Sequence, residues 1–375
     1  ELFAMTSRKQ IAAIQSCITN QIDPSLIGDK AIAGIVGDAP SFYSKSPALW
    51  NAAFDFLGIN GVYLPFDVAE PRLGELIATL KGLDNFLGIN VTVPHKIRIM
   101  DFLDEIEAGA HRVQAVNSIV RTSSGKLVGY NTDGEGFTES LLTPLPEQTE
   151  SFTPSLAKTD VLLLGAGGSA RAVAFELSDR LNEGQLVIAN RSLDHAMSLA
   201  SEIQKNDRQV KAIDETEIGD WARRVGLIVN STTKGQGGLR KLPNGKLTTL
   251  EAYSALASAH PASISQADFD DPQTRQDWLR AAQVDIDANN QASMTLAQTI
   301  PQNVRFYDLI YHPEETVFLR HGRVSGHLTK NGKSMIVCQA AIALCRHIGK
   351  QHLIESGKDD VATYRAVCQV MSANW

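Results

Sequence analysis

The sequence predicts an α/β protein of two domains, the second with a Rossmann-type nucleotide-binding fold. Its 375 residues are many for a single hydrophobic core. From Ala31 onward, short apolar runs alternate with helix-like segments, as in proteins with largely parallel sheets. A continuous apolar run at residues 161–164 leads into a glycine-rich loop and a helix, the order typical of a dinucleotide-binding unit.

The first domain is predicted over residues 31–142. Strands are expected at 31–37, 62–64, 87–93, 115–120 and 127–130, and helices from residue 46 and at 73–80. Ser46 is expected to cap its helix, because serine side chains accept from free backbone N–H groups. Pro65 is expected to end the second strand, because proline cannot donate to a ladder. Pro94 is expected to begin another helix.

A proline-containing segment at residues 143–158 is predicted to be a linker. The second domain is expected over residues 159–333, with strands at 161–164, 186–189, 227–230 and 304–310 and helices at 169–177 and 193–203. Residues from about 235 to 301 form a long insertion, with helix-like pieces at 250–256 and 276–282. An apolar helix is predicted at 334–348. Residues 1–30 are an N-terminal extension, with a helix expected at 7–17.

Composition excludes several kinds of partner. The net charge of -7 gives no basic surface, so nucleic acid is not expected as a partner. There is no uninterrupted apolar run long enough for a membrane span, and no secretory signal pattern at the start. The cysteines lack the spacing of metal sites, so no metal is predicted and they are expected to be reduced core thiols of a cytoplasmic protein. They are Cys17, Cys338, Cys345 and Cys368.

The glycine-rich loop matches the pattern G-x-G-x-x-A. Its residues are Gly165, Ala166, Gly167, Gly168, Ser169 and Ala170. The first glycine allows a tight turn, the second lets the backbone approach a pyrophosphate, and the small last residue lets the helix pack against the strand. The helix that follows presents free N–H groups and its positive dipole end. Because the loop follows a buried strand and opens a helix, it is predicted to bind a dinucleotide.

The residues after the second strand of this domain indicate which dinucleotide binds. An NAD site carries Asp or Glu there to hold the ribose hydroxyls. This chain has Asn190, Arg191 and Ser192 instead. The guanidinium of Arg191 is planar and permanently charged, which suits a 2′-phosphate. NADP is therefore the predicted cofactor.

Lys96 and Asp133 each follow a predicted strand. Ligands bind at the carboxyl edge of open α/β sheets, so both side chains are expected at a binding site. Hydride transfer from an alcohol requires a group that accepts the hydroxyl proton, and a lysine oriented by a carboxylate can do this. Short polar side chains at other strand ends suit a small polyhydroxylated, carboxylated substrate. These are Ser44, Ser46, Thr92, Asn117 and Asn131.

With these motifs the sequence resembles the shikimate dehydrogenase family, whose members interconvert 3-dehydroshikimate and shikimate with NADP. The matching segments follow the family order and cover the chain from about residue 31 to residue 348. They are residues 44–47, 90–96, 115–118, 129–134, 165–170, 190–192, 230–232, 307–311 and 332–341.

The resemblance implies a substrate-binding domain over residues 31–142, completed by residues 334–375, and an NADP-binding domain over residues 159–333. It implies that Lys96 and Asp133 are the catalytic pair, and that Ser44 and Ser46 hold the substrate carboxylate. The substrate hydroxyls are expected to contact Thr92, Asn117, Tyr311 and Gln339. The expected cofactor residues are Gly165 to Ala170, Asn190, Arg191, Ser192, Thr232, Leu309 and Gly332. A monomer or homodimer is expected.

The sequence departs from the family pattern at several positions. Trp50 stands where histidine is usual, and Gln114 where glycine is usual. His195 stands where many NADP-using members carry a second arginine, and Asp194 beside it would repel a 2′-phosphate. NAD therefore stays an alternative cofactor. The insertion at about 235–301 exceeds the usual connection and is a lid, an oligomer contact or an inert insertion.

Two other functions stay open. One is a quinate/shikimate dehydrogenase that uses NAD; Ser46 disfavours it, because a bulkier threonine there would suit quinate-preferring relatives. The other is a non-catalytic regulator that senses shikimate or quinate on the same scaffold. The intact pair of Lys96 and Asp133 and the intact phosphate loop argue against a regulator.

Overall fold

The computed structural model describes residues 10–145, 148–205 and 209–375. The chain divides into two compact units, one formed by Glu1–Glu150 with Ser334–Trp375 and the other by Ser151–Lys333. The predicted α/β fold is confirmed, and the C-terminal helices belong to the first unit. Within the described residues, no helix combines the length and the apolar character that a membrane span needs.

The first unit is built on a mixed sheet of six strands in the order β2-β1-β3-β5-β6-β4. Strand β1 pairs in parallel with β2 and β3, whereas β5 is antiparallel to β3 and β6. The strands are β1 (Ala31–Gly37), β2 (Gly61–Asp67), β3 (Phe86–Val91), β4 (Glu105–Ile106), β5 (Ser118–Arg121) and β6 (Leu127–Tyr130). The α-helices between residues 31 and 150 are α1 (Pro40–Tyr43), α2 (Ser46–Leu57), α3 (Leu73–Lys81), α4 (Ala108–Val113) and α5 (Asp133–Leu142).

Both faces of this sheet are covered. Successive side chains of a strand point to opposite faces, and in β1 Ile32 and Val36 join one hydrophobic cluster while Ala33 and Ile35 join another. The first cluster includes the apolar side of α3, and the second includes that of α2. A strand buried on both faces reads as a continuous apolar run, which is why the sequence predicted β1 with its observed bounds.

Three local predictions in this unit are wrong. Lys45, not Ser46, is the N-cap of α2, and no side chain caps it. Strand β2 continues through Pro65, because β2 is the edge strand and the missing N–H costs no ladder bond. Pro94 begins no helix: residues 93–97 form turns before a 3₁₀ helix at Arg98–Phe102. There the Lys96 carbonyl accepts from the Val116 N–H at 2.8 Å, a tertiary bond in place of a helical one.

The second unit contains a sheet of six strands, all paired in parallel, in the order β14-β13-β10-β7-β8-β9. The strands of this unit, including the two-stranded β11–β12 hairpin, are β7 (Val161–Leu164), β8 (Leu186–Asn190), β9 (Val210–Asp214), β10 (Leu227–Asn230), β11 (Leu239–Lys241), β12 (Leu247–Thr249), β13 (Arg305–Asp308) and β14 (Thr329–Lys330). Its helices are α6 (Gly168–Arg180), α7 (Leu193–Gln204), α8 (Ile218–Ala222), α9 (Gln266–Asp270), α10 (Pro272–Thr299) and α11 (Val317–Val324). Strand β9 was not predicted from the sequence.

The insertion is an ordered part of this unit. The predicted piece at 276–282 lies within the 28-residue helix α10. The helix predicted at 250–256 is absent. There, Asn289 of α10 accepts from the Ser254 N–H at 2.8 Å and donates to the Ser254 carbonyl at 3.1 Å. A distant side chain thus satisfies backbone groups that a helix would have paired locally.

The C-terminal segment consists of α12 (Lys333–Ile342), a π-helix at Ala343–Ile348, α13 (Lys350–Glu355) and α14 (Val361–Ala373). The apolar helix predicted at 334–348 is therefore present, with its last turns in π geometry. Of the helix expected at 7–17, residues 10–15 are helical, and the part before residue 10 lies outside the described residues. The four cysteines are buried and free.

Candidate active site

Lys96 and Asp133 form an ion pair at the carboxyl edge of the first sheet. Lys96 lies in the turn after β3, and Asp133 is the first residue of α5, shortly after β6. Nζ of Lys96 lies 2.6 Å from Oδ2 of Asp133. The lysine side chain is 26% exposed and the aspartate side chain only 7%. The structure thus holds the carboxylate inside the protein and leaves the ammonium accessible from one side.

Asn117 fixes the position of Asp133. Its Nδ2 donates to Oδ1 of Asp133 at 2.9 Å and to Oγ1 of Thr132 at 3.1 Å. Its Oδ1 accepts from the Thr132 N–H at 2.8 Å. The Asp133 N–H in turn donates to Oδ1 of Asn131 at 3.0 Å. Both carboxylate oxygens of Asp133 therefore have protein partners, and the side chain of Asn117 has no unused donor.

Helix α12 reaches this network through Gln339. The Thr132 hydroxyl donates to the Gln339 carbonyl at 3.3 Å. Helix α5 comes so close that a Cβ on Gly136 would lie 2.6 Å from Cβ of Gln339. The side-chain Oε1 of Gln339 is buried and has no hydrogen-bond partner among the described residues. It is an acceptor that a ligand hydroxyl could satisfy.

A second set of hydrogen bonds connects Tyr63 and Asn90 to Asn117. The Tyr63 hydroxyl donates to Oδ1 of Asn90 at 2.7 Å, and Nδ2 of Asn90 donates to the Asn117 carbonyl at 3.3 Å. Burial raises the pKa of Tyr63 well above its usual range, which keeps the hydroxyl protonated as a donor. Buried Trp50 stacks on the Tyr63 ring, 4.7 Å between centroids.

The other predicted substrate residues lie at the same edge, with one exception. Oγ of Ser44 accepts from the Ser46 N–H at 3.2 Å. The Thr92 N–H donates to the Val36 carbonyl at 2.9 Å, which places Thr92 directly beyond the paired ends of β1 and β3. Tyr311 belongs to the second unit, where it is half-buried, and burial raises the pKa of its hydroxyl.

The predicted nucleotide loop connects β7 to α6. Gly165 has φ of 110°, in the region that favours glycine. A Cβ on Gly167 or Gly168 would meet no atom within 4 Å, so both face open space. The first turn of α6 has no side-chain cap, which leaves its N–H groups available to an anion. This cradle fits the pyrophosphate of a dinucleotide.

The remaining predicted cofactor residues surround the neighbouring strand ends of the second sheet. Asn190 closes its own turn, with Nδ2 donating to the Ser192 carbonyl at 2.9 Å. The Thr232 hydroxyl donates to Oδ1 of Asn230 at 2.7 Å. The Leu309 N–H donates to the Asn230 carbonyl at 2.9 Å, and the Gly332 N–H donates to the Ile310 carbonyl at 3.0 Å. Leu309 thus lies beside Asn230, which also holds Thr232.

A cavity of about 630 Å³ opens beside the nucleotide loop. Gly165, Asn190, Arg191 and Thr232 are among the residues that line it. Residues of the insertion, which were not predicted from the sequence, line it as well. They are Arg240, Leu242, Pro243, Thr248, Leu250, Ala255, Ala259, His260 and Pro261. These residues belong to no recognisable sequence motif, so their position near the nucleotide loop is visible only in the folded structure.

Two residues of the polar edge of the first sheet, Asn90 and Tyr63, were also not predicted from the sequence. Asn90 belongs to one of the matching segments, at residues 90–96, and its polar side chain in an otherwise apolar strand was a usable signal. Tyr63 gave no such signal, because an aromatic residue in a strand is ordinary.

Comparison with known proteins covers both units. The sequence model described as the shikimate dehydrogenase substrate binding domain matches residues 35–119, and the one described as shikimate / quinate 5-dehydrogenase matches residues 147–241.

Similar proteins extend over nearly the whole chain. One from Methanopyrus kandleri, named shikimate dehydrogenase (NADP(+)), is 33% identical over 340 residues, 91% of this chain and 98% of that protein. One of the same name from Carboxydothermus hydrogenoformans is 35% identical over 324 residues, 86% of this chain and 93% of that protein.

A solved structure has a similar fold. A crystal structure of a shikimate dehydrogenase in complex with NADP⁺ is 28% identical, with a TM-score of 0.64 over 93% of this chain and 96% of that chain. The resemblance inferred from the motifs is confirmed, and the chain belongs to the shikimate dehydrogenase family.

Proposed function

We propose that this chain catalyses the reversible, NADP-dependent reduction of 3-dehydroshikimate to shikimate. The observation that carries the proposal is the 2.6 Å pair of Lys96 and Asp133 at a sheet edge rich in hydroxyl and amide groups. The names of the relatives, which are NADP-dependent shikimate dehydrogenases, support the same activity.

In this mechanism Lys96 moves the proton. During reduction its ammonium donates a proton to the carbonyl oxygen of the substrate, and during oxidation its amine accepts the hydroxyl proton. When bound, NADPH supplies the hydride that reaches the carbonyl carbon. Asp133 holds the lysine in position from the buried side, so that the exposed side of Nζ faces the substrate.

The polar edge of the sheet supplies the substrate contacts. We assign Ser44 and Ser46 to the carboxylate and Thr92, Tyr311 and Gln339 to the hydroxyls. The buried, unpartnered Oε1 of Gln339 supports its role, because such an acceptor costs free energy until a donor reaches it. The family resemblance also implies a contact between Asn117 and a substrate hydroxyl. Because the Asn117 side chain is already hydrogen-bonded to Thr132 and Asp133, its main role is to position the Lys96–Asp133 pair.

For the cofactor, we assign residues 165–170 to the pyrophosphate and Asn190, Arg191 and Ser192 to the adenosine and its 2′-phosphate. Thr232, Leu309 and Gly332 complete the nucleotide side. The open cradle at Gly167 and the uncapped turn of α6 support the first assignment. The residues at the end of β8 and directly after it, Asn190, Arg191 and Ser192, include no acidic side chain, which supports NADP over NAD.

We also propose a division of labour between the units, with substrate bound by residues 31–142 and 334–375 and the dinucleotide by residues 159–333. Residues 143–158 are assigned to the linker. We expect a cytoplasmic monomer or homodimer, and four buried free cysteines are typical of a reducing compartment. Light scattering of the purified protein measures the oligomeric state.

The test is the rate of nicotinamide reduction with shikimate and with quinate, each with NADP and with NAD. Fast turnover with shikimate and NADP alone is the expected result. Preference for quinate or NAD would replace the proposal with the quinate/shikimate alternative. Tight binding of shikimate without turnover in any combination would favour the sensing regulator.

A further inference from the structure

Two arginines line the cavity beside the nucleotide loop. Arg191 directly follows β8, and Arg240 belongs to the β11–β12 hairpin of the insertion. Most of the other lining residues from the insertion are apolar, with Leu242, Pro243 and Leu250 among them. An apolar pocket with cations at its rim suits the base and the phosphate of a nucleotide.

The charges that line this cavity leave two cations uncompensated. Lys234 is paired with Glu215 at 2.7 Å, and both side chains are largely buried, so these two charges offset each other. His260 lies 3.4 Å from Asp285. In the part of the chain that the structure describes, neither Arg191 nor Arg240 is paired with a carboxylate. The cavity therefore presents a net positive field suited to a dianion.

The guanidinium of Arg240 contacts the loop that follows β10. One N–H of its guanidinium donates to the hydroxyl of Thr233, which lies in the loop after β10 and also lines the cavity. A guanidinium has five N–H donors in a planar fork, so four remain. Such a fork binds phosphate oxygens in a bidentate manner.

We propose that Arg240 is a second ligand of the 2′-phosphate of NADP, together with Arg191, and that the β11–β12 hairpin thereby contributes to the choice of NADP over NAD. This inference rests on the proposed function, because it requires a dinucleotide at the α6 loop. It gives the first part of the insertion a role in cofactor selection.

Binding of adenosine nucleotides tests this without any turnover. Isothermal titration calorimetry compares 2′,5′-ADP, which carries the 2′-phosphate, with 5′-ADP, which lacks it. Arg240→Ala is expected to weaken 2′,5′-ADP binding about 10- to 100-fold, the size expected for lost hydrogen bonds to a charged group. Binding of 5′-ADP is expected to change less than about twofold.

Lys241→Ala is the matched control. Lys241 is also an exposed cation of β11, but it follows Arg240 on the opposite face of the strand and is not among the cavity-lining residues. Its removal lowers the net charge equally, so unchanged 2′,5′-ADP affinity in this variant separates a local contact from a general electrostatic effect.

Three results would overturn the inference. Unchanged 2′,5′-ADP binding in Arg240→Ala would remove Arg240 from the phosphate site while leaving the proposed function intact. An equal loss of affinity for both nucleotides would mean that Arg240 maintains the shape of the pocket and does not bind the 2′-phosphate. A wild-type protein that binds neither nucleotide would reject the dinucleotide site itself, and with it the proposed function.

Discussion

The side-chain amide of Asn117 lies 2.9 Å from Oδ1 of Asp133, on the carboxylate oxygen opposite the one that contacts Lys96. The same side chain holds the hydroxyl and the N–H of Thr132. One buried asparagine thus connects the start of β5 to the residues that begin α5. The orientation of the Asp133 carboxylate depends on it.

Replacing Asn117 with Ala is expected to lower kcat about 10- to 100-fold. Asp133 would lose a partner on one oxygen, the Thr132 N–H would lose its acceptor, and the carboxylate would no longer hold Lys96 in one position. Steady-state kinetics measure the effect, with the affinity for NADP expected to stay the same.

Asn85→Ala is the control for this variant. Asn85 precedes β3, at the end of that strand opposite Asn90, and its Nδ2 donates to the Lys30 carbonyl at 2.9 Å. Asn85→Ala should lower the free energy of unfolding about as much as Asn117→Ala does, without lowering kcat. A kcat of Asn117→Ala equal to that of the control would show that Asn117 is merely structural.

Lys96→Ala is expected to lower turnover about 10²- to 10⁴-fold, because no other group would transfer the proton. Binding of the nucleotide, measured by calorimetry, should be unaffected. Lys126→Ala is the matched control, since Lys126 pairs with Glu105 at the same 2.6 Å but with both side chains exposed. Turnover of Lys96→Ala at the level of this control would exclude Lys96 as the acid–base group.

Gly136→Ala is expected to reduce both stability and activity. The added Cβ would lie 2.6 Å from Cβ of Gln339 and 2.8 Å from its N and Cα, so α5 and α12 must separate. Overpacking of this kind typically costs about 1–3 kcal/mol in the free energy of unfolding. The displacement moves Asp133 and Gln339, so kcat/KM should fall as well.

Chemical denaturation measures the change, with Gly219→Ala as the comparison. Gly219 is also helical, and its added Cβ would have no neighbour nearer than 3.6 Å. That variant should gain up to about 1 kcal/mol from helix propensity. If Gly136→Ala were stabilised to the same degree, the close approach of the two helices would be disproved.

Asp308 predicts a pH dependence of stability. Burial raises the pKa of its carboxyl to about 7 from the ordinary 3.8, against the hydrogen bonds from Thr316, the Ile310 N–H and Asn230, which lower it. Because the raised pKa belongs to the folded state, that state keeps the proton while the unfolded chain releases it. The free energy of unfolding should therefore fall as pH rises from about 4 to about 7, by at most about 4 kcal/mol.

Asp308→Asn should remove this component. Urea unfolding of the wild type and the variant at pH 5 and pH 8 isolates it, because all other ionisable groups are common to both proteins. The wild type should lose more stability than the variant between the two pH values. Identical losses would mean that Asp308 ionises alike in the folded and unfolded chain.

Gln114→Gly is expected to stabilise the protein by about 0.5–1 kcal/mol. Gln114 ends α4 with φ 58° and ψ 37°, a left-handed conformation that costs free energy for a side chain with a Cβ. Thermal unfolding measures the gain. Asn182→Gly, at φ 54°, should gain less, because asparagine visits this region more readily. A loss of stability in Gln114→Gly would mean that the glutamine side chain contributes more than its backbone costs.

Much of the fold follows from local signals. Strand β7, the glycine loop and α6 are adjacent in the chain, and each is specified by residues a few positions apart. The same holds for β1 and α3. Prediction failed where distant groups satisfy the backbone, as at Ser254, held by Asn289, and at Lys96, whose carbonyl bonds Val116.

The sequence by itself determined the family, the order of the motifs and the residue types available for proton transfer, since all of these are properties of short segments. The sequence also predicted that Lys96 and Asp133 act as a pair. The tertiary structure alone decided that Asn117 is engaged by the carboxylate of Asp133, and that Arg240 lines the cavity beside the nucleotide loop. The physical reason is the sequence range over which each kind of interaction acts. Strand and turn preferences act between residues that are neighbours in the chain. These contacts form only when the packing of a sheet with its helices brings remote segments together.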